Sequence, residues 1–152
     1  DYQKRFLSKA SLTKNNTNRL SFSENLFSDY SFLIVDDNIV NQKITAMLLS
    51  KMGARVSVAG NGLEAVDMVC RFDYHAVLMD CEMPEMDGFE ATGAIKAMES
   101  KKNIPIIAMT ANALASDRDR CLEQGMDDYV SKPISKKCLV EVIQRQIDRA
   151  FS

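Results

Sequence analysis

Four short apolar runs in this chain of 152 residues each end at side chains that could do chemistry. Those side chains belong to Asp36 and Asp37, Asp80, Thr110 and Lys132. If the runs are parallel strands, their carboxyl ends meet along one edge of a sheet, which is where open α/β sheets bind ligands. The pattern therefore predicts that three carboxylates, a hydroxyl and an ammonium group share one site.

This set of groups is suited to handling a phosphoryl group. Carboxylates that crowd together repel one another unless a cation lies among them, and an all-oxygen ligand set favours a hard ion, most plausibly Mg²⁺. A lysine and a hydroxyl beside them can neutralise and hydrogen-bond phosphoryl oxygens. No glycine-rich loop with a lysine is present, which excludes a P-loop nucleotide site. A carboxylate nucleophile that forms an aspartyl phosphate fits this chemistry.

The sequence around these residues alternates between strand and helix signals. Residues 76–80 predict a central strand buried on both faces, because the apolar run is too short for a helix. Another strand is predicted at residues 104–109, and residues 55–59 alternate like an edge strand. Five strands alternating with five helices predict an α/β fold, a doubly wound parallel sheet with helices on both faces.

The first predicted helix follows Asn38, a residue type that caps helix N-termini. We expect its apolar face to pack on the sheet. That predicted face consists of Ile39, Val40, Ile44, Met47, Leu48 and Leu49.

Composition and charge indicate how the chain is divided and which partners it does not favour. Residues 1–30 contain a tract rich in Ser, Thr, Asn and Lys, which predicts a linker or disordered tail, and residues 31–150 form the predicted domain. The net charge of −2 does not favour binding to nucleic acid or to an anionic membrane. No apolar run approaches the length of a membrane span.

The four cysteines are scattered without metal-binding spacing, which predicts reduced thiols in a cytoplasmic protein. Cys81, next to Asp80, is interpreted as a small buried filler, with redox sensing as the alternative. His75 is the only histidine, so a multi-histidine metal site is excluded.

Taken together, the motifs resemble the receiver domains of two-component response regulators, over roughly residues 31–150. The resemblance is carried by Asp36-Asp37-Asn38, residues 79–88 (MDCEMPEMDG), Met109-Thr110-Ala111 and Ser131-Lys132-Pro133. It implies a flavodoxin-like sheet with strand order 2-1-3-4-5. The sequence of the central motif most resembles that of receivers attached to hybrid sensor histidine kinases.

The resemblance implies a role for each acidic residue. Asp80 would accept a phosphoryl group from the phosphohistidine of a partner. Asp37, Asp80 and the backbone carbonyl of Glu82 would ligate Mg²⁺ directly, and Asp36 would act largely through water.

The resemblance also implies roles for residues on the last two strands. Lys132 would contact the phosphoryl oxygens, and Thr110 would hydrogen-bond one of them. Tyr129 would be the aromatic residue that moves inward as Thr110 is drawn toward the phosphate. The Lys132–Pro133 peptide bond would be cis.

The implied function is phosphorelay signal transduction, by relay of the phosphoryl group or by a conformational switch. The implied partners are the phosphodonor domain of a histidine kinase and a histidine phosphotransfer protein, with weak homodimerisation left open. Neither nucleic-acid binding nor a membrane span is expected of this piece. It would catalyse only its own phosphorylation and dephosphorylation, within a hybrid histidine kinase that is cytoplasmic or has its receiver in the cytoplasm.

Two other functions fit the same residues less well. A receiver-like module could bind partners without phosphorylation, but the intact acidic pair, Asp80, Thr110 and Lys132 argue against it. A phosphatase of the haloacid-dehalogenase type would need a second aspartate two residues after the nucleophile, where Glu82 stands.

Overall fold

The computed structural model describes residues 26–81, 87–111 and 115–151, and in these ranges strands and helices alternate. The strands are β1 (Ser31–Val35), β2 (Arg55–Ala59), β3 (Ala76–Asp80), β4 (Ile106–Thr110) and β5 (Asp128–Ser131). The helices are α1 (Ile39–Lys51), α2 (Gly62–Arg71), α3 (Gly88–Lys96), α4 (Ala115–Glu123) and α5 (Lys136–Phe151).

The five strands form one parallel sheet in the order β2-β1-β3-β4-β5. The predicted α/β fold and its strand order are therefore confirmed. Asp80 pairs with Met109, and Thr110 pairs with Ser131, so β3, β4 and β5 end side by side. The strand order reverses between β1 and β3, which is the point where such sheets bind ligands.

Two hydrophobic clusters cover the two faces of the sheet. Helices α1 and α5 pack on one face, against side chains such as Phe32 and Leu78. Helices α2, α3 and α4 pack on the other, against Leu33 and Met79. Every residue of β3 and β4 is buried, as a strand between two helical layers requires. Each fully buried large apolar side chain contributes about 1.5–3 kcal/mol to folding.

Helix α1 packs through only two residues of the predicted apolar face, Leu48 and Leu49. Thr45 and Leu49 are its buried residues, and Leu48 is partly buried. The α1 apolar stripe, the four residues that instead face solvent, consists of Ile39, Val40, Ile44 and Met47.

The prediction was wrong for these four residues because α1 carries apolar residues on two opposite faces, given the helical repeat of about 3.6 residues per turn. The spacing of such residues cannot decide which face meets the sheet. A polar contact lies on the face of α1 that meets the sheet. The Gln42 side-chain amide donates to the backbone carbonyl of Asp36 at 2.6 Å. Gln42 and Leu49 therefore lie toward the sheet, and the stripe lies away from it.

The packed domain begins earlier than the boundary predicted at residue 31. Phe27 is fully buried, and its ring packs edge-on against Phe32 with centroids 5.4 Å apart. The backbone N–H of Phe27 also donates to Met52 at 2.9 Å. Part of the segment predicted as a tail is therefore core, and residues 1–25 lie outside the described residues.

Strand β4 begins at Ile106, two residues after the predicted start. Pro105 has no N–H to donate to a strand ladder, although its carbonyl accepts from Val77 at 2.9 Å. The predicted Pro-containing start of the strand is thus a connection that still pairs with β3.

A buried carboxylate joins β5 to α5. Asp128 is only 7% exposed, and it accepts two hydrogen bonds of 2.9 Å from the Arg145 guanidinium. The amide of Gln146 donates to the same carboxylate at 2.9 Å. Because β5 continues directly into Lys132, these bonds hold the strand that carries the lysine.

Replacing Asp128 by alanine is expected to lower the free energy of unfolding by about 2–3 kcal/mol, since the variant loses charge-assisted bonds. The Gln146 amide would keep only its 3.3 Å bond to the Asp127 carbonyl. The matched control is Asp67→Ala, which removes an exposed pair with Arg71 and should cost about 0.5 kcal/mol or less. Urea unfolding of the two variants gives both values. Equal losses would contradict the anchoring role of Asp128.

Candidate functional site

Three carboxylates meet at the carboxyl edge of the sheet. Oxygen atoms of Asp36, Asp37 and Asp80 lie within 4.8 Å of one another. Asp36 and Asp80 are buried, with 1% and 5% exposed, whereas Asp37 is exposed. Because β1 and β3 are neighbours, their ends place the three side chains together.

The ammonium group of Lys132 lies against this cluster. Lys132 Nζ is 3.2 Å from Asp80 Oδ2 and 3.6 Å from Asp36 Oδ2. The backbone of Lys132 is fixed as well, since its N–H donates to the Thr110 carbonyl at 2.7 Å and extends the pairing of β4 with β5. The Lys132–Pro133 peptide bond is cis.

The charges around Lys132 determine its protonation state. Burial by itself would lower the pKa of Lys132, but the carboxylates of Asp80 and Asp36 outweigh burial and raise that pKa above its usual value. Lys132 therefore remains a cation at neutral pH. One ammonium against three carboxylates leaves the cluster with an excess of negative charge.

The two oxygens of Asp36 have different surroundings. Its Oδ1 accepts the backbone N–H of Asn38 at 2.9 Å. Its Oδ2 is buried and accepts no hydrogen bond from the described residues, because 3.6 Å to Lys132 is an ion-pair distance and too long for a hydrogen bond. A buried carboxylate oxygen without a donor is costly. A hard divalent cation or its hydration water fits the position, since carboxylate oxygens are the ligands such ions prefer.

Thr110 and Tyr129 lie on one face of the sheet. Thr110 ends β4, is buried, and pairs with Ser131. Tyr129 pairs with Ala108 and is partly buried. Because side chains alternate along a strand, Ala108, Thr110, Tyr129 and Ser131 share a face.

Of the predicted site residues, Asp36, Asp37, Asp80 and Lys132 are directly brought together, and Thr110 ends the adjacent strand. The predicted metal contact from the Glu82 carbonyl lies outside the described residues. The roles assigned to these residues remain predictions.

Sequence reasoning missed the residues that hold the aspartates in place. Asn38 was recognised as a helix cap, and its side chain does accept from the N–H of Asn41 at 3.0 Å, but its own N–H also fixes Asp36. Gln42, one turn further along α1, carried no signal that could have revealed its bond to Asp36.

Gly88 was also missed, although it lies in the central motif. Its N–H donates to the Cys81 carbonyl at 3.2 Å. A Cβ at this position would collide with the backbone carbonyl oxygen of Asp80. Only glycine allows α3 to start so close to the end of β3.

Comparison with known proteins identifies relatives of this arrangement. Residues 32–144 match the sequence model of the family described as response regulator receiver domain. Hybrid signal transduction histidine kinase B of Dictyostelium discoideum is 44% identical over 128 residues, which cover 76% of this chain and 6% of the relative. The chain spans 6% to 16% of the length of the first curated relatives that it matches.

Two solved structures share the fold. The receiver domain of sensor histidine kinase PA1611 from Pseudomonas aeruginosa, with a magnesium ion coordinated in its active site cleft, is 44% identical, with a TM-score of 0.73 over 78% of this chain and 98% of that one. The receiver domain of Ssk1 from Saccharomyces cerevisiae, in complex with the histidine phosphotransfer protein Ypd1, is 29% identical, with a TM-score of 0.75 over 82% and 94% of the chains.

The close approach of α3 to the site predicts opposite effects for two glycines of the same helix. Gly88→Ala should lower the free energy of unfolding by about 1–3 kcal/mol, because the new methyl group displaces the Asp80 backbone. Gly93→Ala should raise it by about 0.5–1 kcal/mol, because nothing lies within 4 Å of the added carbon and alanine favours helix. Urea unfolding measures both, and shifts in the same direction would contradict the packing described.

Proposed function

Because this chain belongs to the response regulator receiver family, which serves two-component phosphorelay signalling, we propose that it accepts a phosphoryl group from a phosphohistidine onto Asp80. The observation that carries the proposal is the position of Lys132 Nζ, 3.2 Å from a buried Asp80 carboxylate that two further aspartates flank. The hybrid histidine kinase as parent chain belongs to the same proposal. A module that only binds partners is not favoured, because it would have no use for this costly cluster of charges.

The proposed reaction is a displacement at phosphorus. A carboxylate oxygen of Asp80 attacks the phosphorus atom, and the bond from phosphorus to the imidazole nitrogen of the donor breaks. The electron pair of that bond leaves with the imidazole, and an acyl phosphate forms on Asp80. The chain's own groups must therefore present the carboxylate and stabilise the charge on the phosphoryl oxygens.

Lys132 and Thr110 are placed for the second task. Lys132 remains protonated, and its contact with the Asp80 carboxylate would pass to a phosphoryl oxygen once that oxygen is attached. The Thr110 hydroxyl, at the end of the adjacent strand, would donate a hydrogen bond to another. Both donors are held by backbone pairing before the reaction, which is how preorganised electrostatic stabilisation works.

Magnesium is the cofactor that we assign to this site. Asp37 and Asp80 would hold it together with the carbonyl of Glu82, and Asp36 would act through water. When bound, the ion supplies positive charge beside the phosphoryl oxygens. The excess negative charge of the cluster supports this assignment, as does Asp36 Oδ2, which accepts no hydrogen bond from the described residues.

The response to phosphorylation would pass through Thr110 and Tyr129. A hydrogen bond to the phosphoryl group would draw Thr110 toward Asp80. Tyr129 lies on the same face of the sheet and is only partly buried, so its ring could move into the space that Thr110 leaves. The output would be a shift between two nearby conformations.

Incubation with Mg²⁺ and acetyl phosphate should add one phosphoryl group to the protein, detected by intact-mass spectrometry. Asp80→Asn should show no adduct, because the amide is a poor nucleophile at neutral pH. Asp67→Asn, which changes an exposed aspartate of α2, is the matched control and should label normally. An adduct of equal yield on Asp80→Asn would contradict the assignment.

The α1 apolar stripe is the surface that we assign to the phosphodonor or to a histidine phosphotransfer partner. Ile39 and Val40 are 63% exposed, Met47 is 50% exposed, and Ile44 is 42% exposed. The stripe begins two residues after Asp37, so a protein docked on it would lie beside the site. Exposed apolar side chains along one helix face are where we expect a partner to dock.

A charge in the stripe should separate docking from chemistry. Val40→Asp is expected to slow phosphoryl transfer from a phosphorylated histidine phosphotransfer protein by about tenfold, the factor that 1.4 kcal/mol of lost contact gives. Labelling by acetyl phosphate should be unchanged, since that donor needs no docking surface. The control is Phe72→Asp, which places the same charge on an exposed apolar residue that follows α2. Equal slowing by both variants would contradict the assignment.

The remaining assignments follow from the same reading. No helix in the described part of the chain is long and apolar enough to cross a membrane. We place the receiver in the cytoplasm, where exposed cysteines such as Cys70 and Cys138 would stay reduced. Residues 1–25 are assigned as the linker toward the rest of the parent chain, and weak homodimerisation stays an untested prediction.

A further inference from the structure

Two cysteines that are far apart in the sequence meet beside the site. Cys81 Sγ and Cys121 Sγ are 3.6 Å apart, although the residues are separated by 40 positions. Neither is in a disulfide, and both are buried, with 6% and 2% exposed. Cys70 and Cys138 are exposed, and the contact between the two sulfurs is what distinguishes Cys81 and Cys121 from them.

The two thiols connect elements that border the phosphoacceptor. Cys81 follows Asp80 directly, its N–H donates to the Met109 carbonyl at 3.1 Å, and its carbonyl accepts the N–H of Gly88. Cys121 lies on α4. A displacement of Cys81 would therefore reach both the end of β3 and the start of α3.

A second contact joins the same two segments. The Arg120 guanidinium lies 4.5 Å from the centroid of the Phe89 ring, a cation–π contact between α4 and α3. Since Arg120 precedes Cys121 and Phe89 follows Gly88, this contact keeps α4 seated next to Cys81.

We propose that Cys81 and Cys121 form a redox modification site, at which hydrogen peroxide produces a reversible disulfide that slows phosphoryl transfer to Asp80. One thiolate attacks a peroxide oxygen, the O–O bond breaks, and a sulfenic acid and water form. The sulfur of the second cysteine then attacks the sulfenic sulfur, the S–S bond forms, and a second water leaves. Two electrons pass from the thiols to peroxide, and the balance is two thiols and one peroxide to one disulfide and two waters.

Closing the bond would require movement at the site. A disulfide has a length of about 2.05 Å, so the sulfurs must approach by about 1.5 Å from their present contact of 3.6 Å. That approach draws the residue after Asp80 toward α4 and shifts the carboxylate relative to Lys132. A misplacement of about 1 Å in a reacting group reduces rates by tenfold or more. The rate effect, unlike the disulfide itself, rests on the proposed function.

Peptide mapping under non-reducing conditions tests the modification itself. After treatment of the full chain with hydrogen peroxide, we expect a peptide pair linked through Cys81 and Cys121 that disappears on reduction with dithiothreitol. Cys121→Ala should give no linked pair, whereas Cys70→Ser, which changes an exposed thiol, should give it in full. If the oxidised wild-type protein contains no such linked pair, the proposal is wrong, whatever the variants show.

The rate of labelling by acetyl phosphate tests the consequence. The oxidised protein should label about tenfold more slowly than the reduced protein, and reduction should restore the rate. Peroxide-treated Cys121→Ala should keep the rate of its untreated form. If the disulfide-linked protein labels at an unchanged rate, the proposal is wrong. If the reduced protein takes up no phosphoryl group, the proposed function is contradicted, and the peptide map alone then tests the disulfide.

Discussion

The structure depends on keeping two buried carboxylates beside a single lysine. Removing an ion from water costs several kcal/mol even after the protein relaxes, so Asp36 and Asp80 could not both be buried without compensation. Lys132 lies within 3.6 Å of both and supplies part of it. The remainder is what a cation would supply at the magnesium site that we propose.

The rest of the fold can be understood as the means of holding that cluster in place. Parallel strands bring the aspartates of β1 and β3 together, and the bond from Lys132 to Thr110 extends the sheet far enough to bring the lysine to them. The Asp128 carboxylate ties β5 to α5, and Gly88 lets α3 start directly against the Asp80 backbone. The site therefore rests on regular elements of the fold, whereas the α1 apolar stripe and the face with Tyr129 are the surfaces that we propose for partner docking and for switching.

Much of this arrangement could be predicted from the sequence because it follows from periodicity and chain direction. Residues 76–80 are too short and too apolar for anything but a strand inside the sheet, and alternation of strands with helices forces the strands to be parallel. Parallel strands end at one edge, so the meeting of Asp36, Asp37 and Asp80 follows before any coordinate is known.

Other features depend on tertiary contacts that leave no local pattern. Which face of α1 packs on the sheet could not be predicted, because apolar residues such as Val40 and Leu49 lie on opposite sides of that helix. The burial of Phe27 was missed because it lies in a segment without periodicity and packs through contacts such as that with Phe32. The pairing of Cys81 with Cys121 joins residues 40 positions apart, and no spacing rule connects them.

Titration of Mg²⁺ into the protein by isothermal titration calorimetry would show whether the aspartate cluster is a cation site built around Asp80. We expect one Mg²⁺ per chain, with affinity that falls at least about tenfold in Asp80→Asn while Asp67→Asn binds like the wild type. Absence of Mg²⁺ binding to the folded wild-type protein, or equal binding by Asp80→Asn, would contradict this expectation.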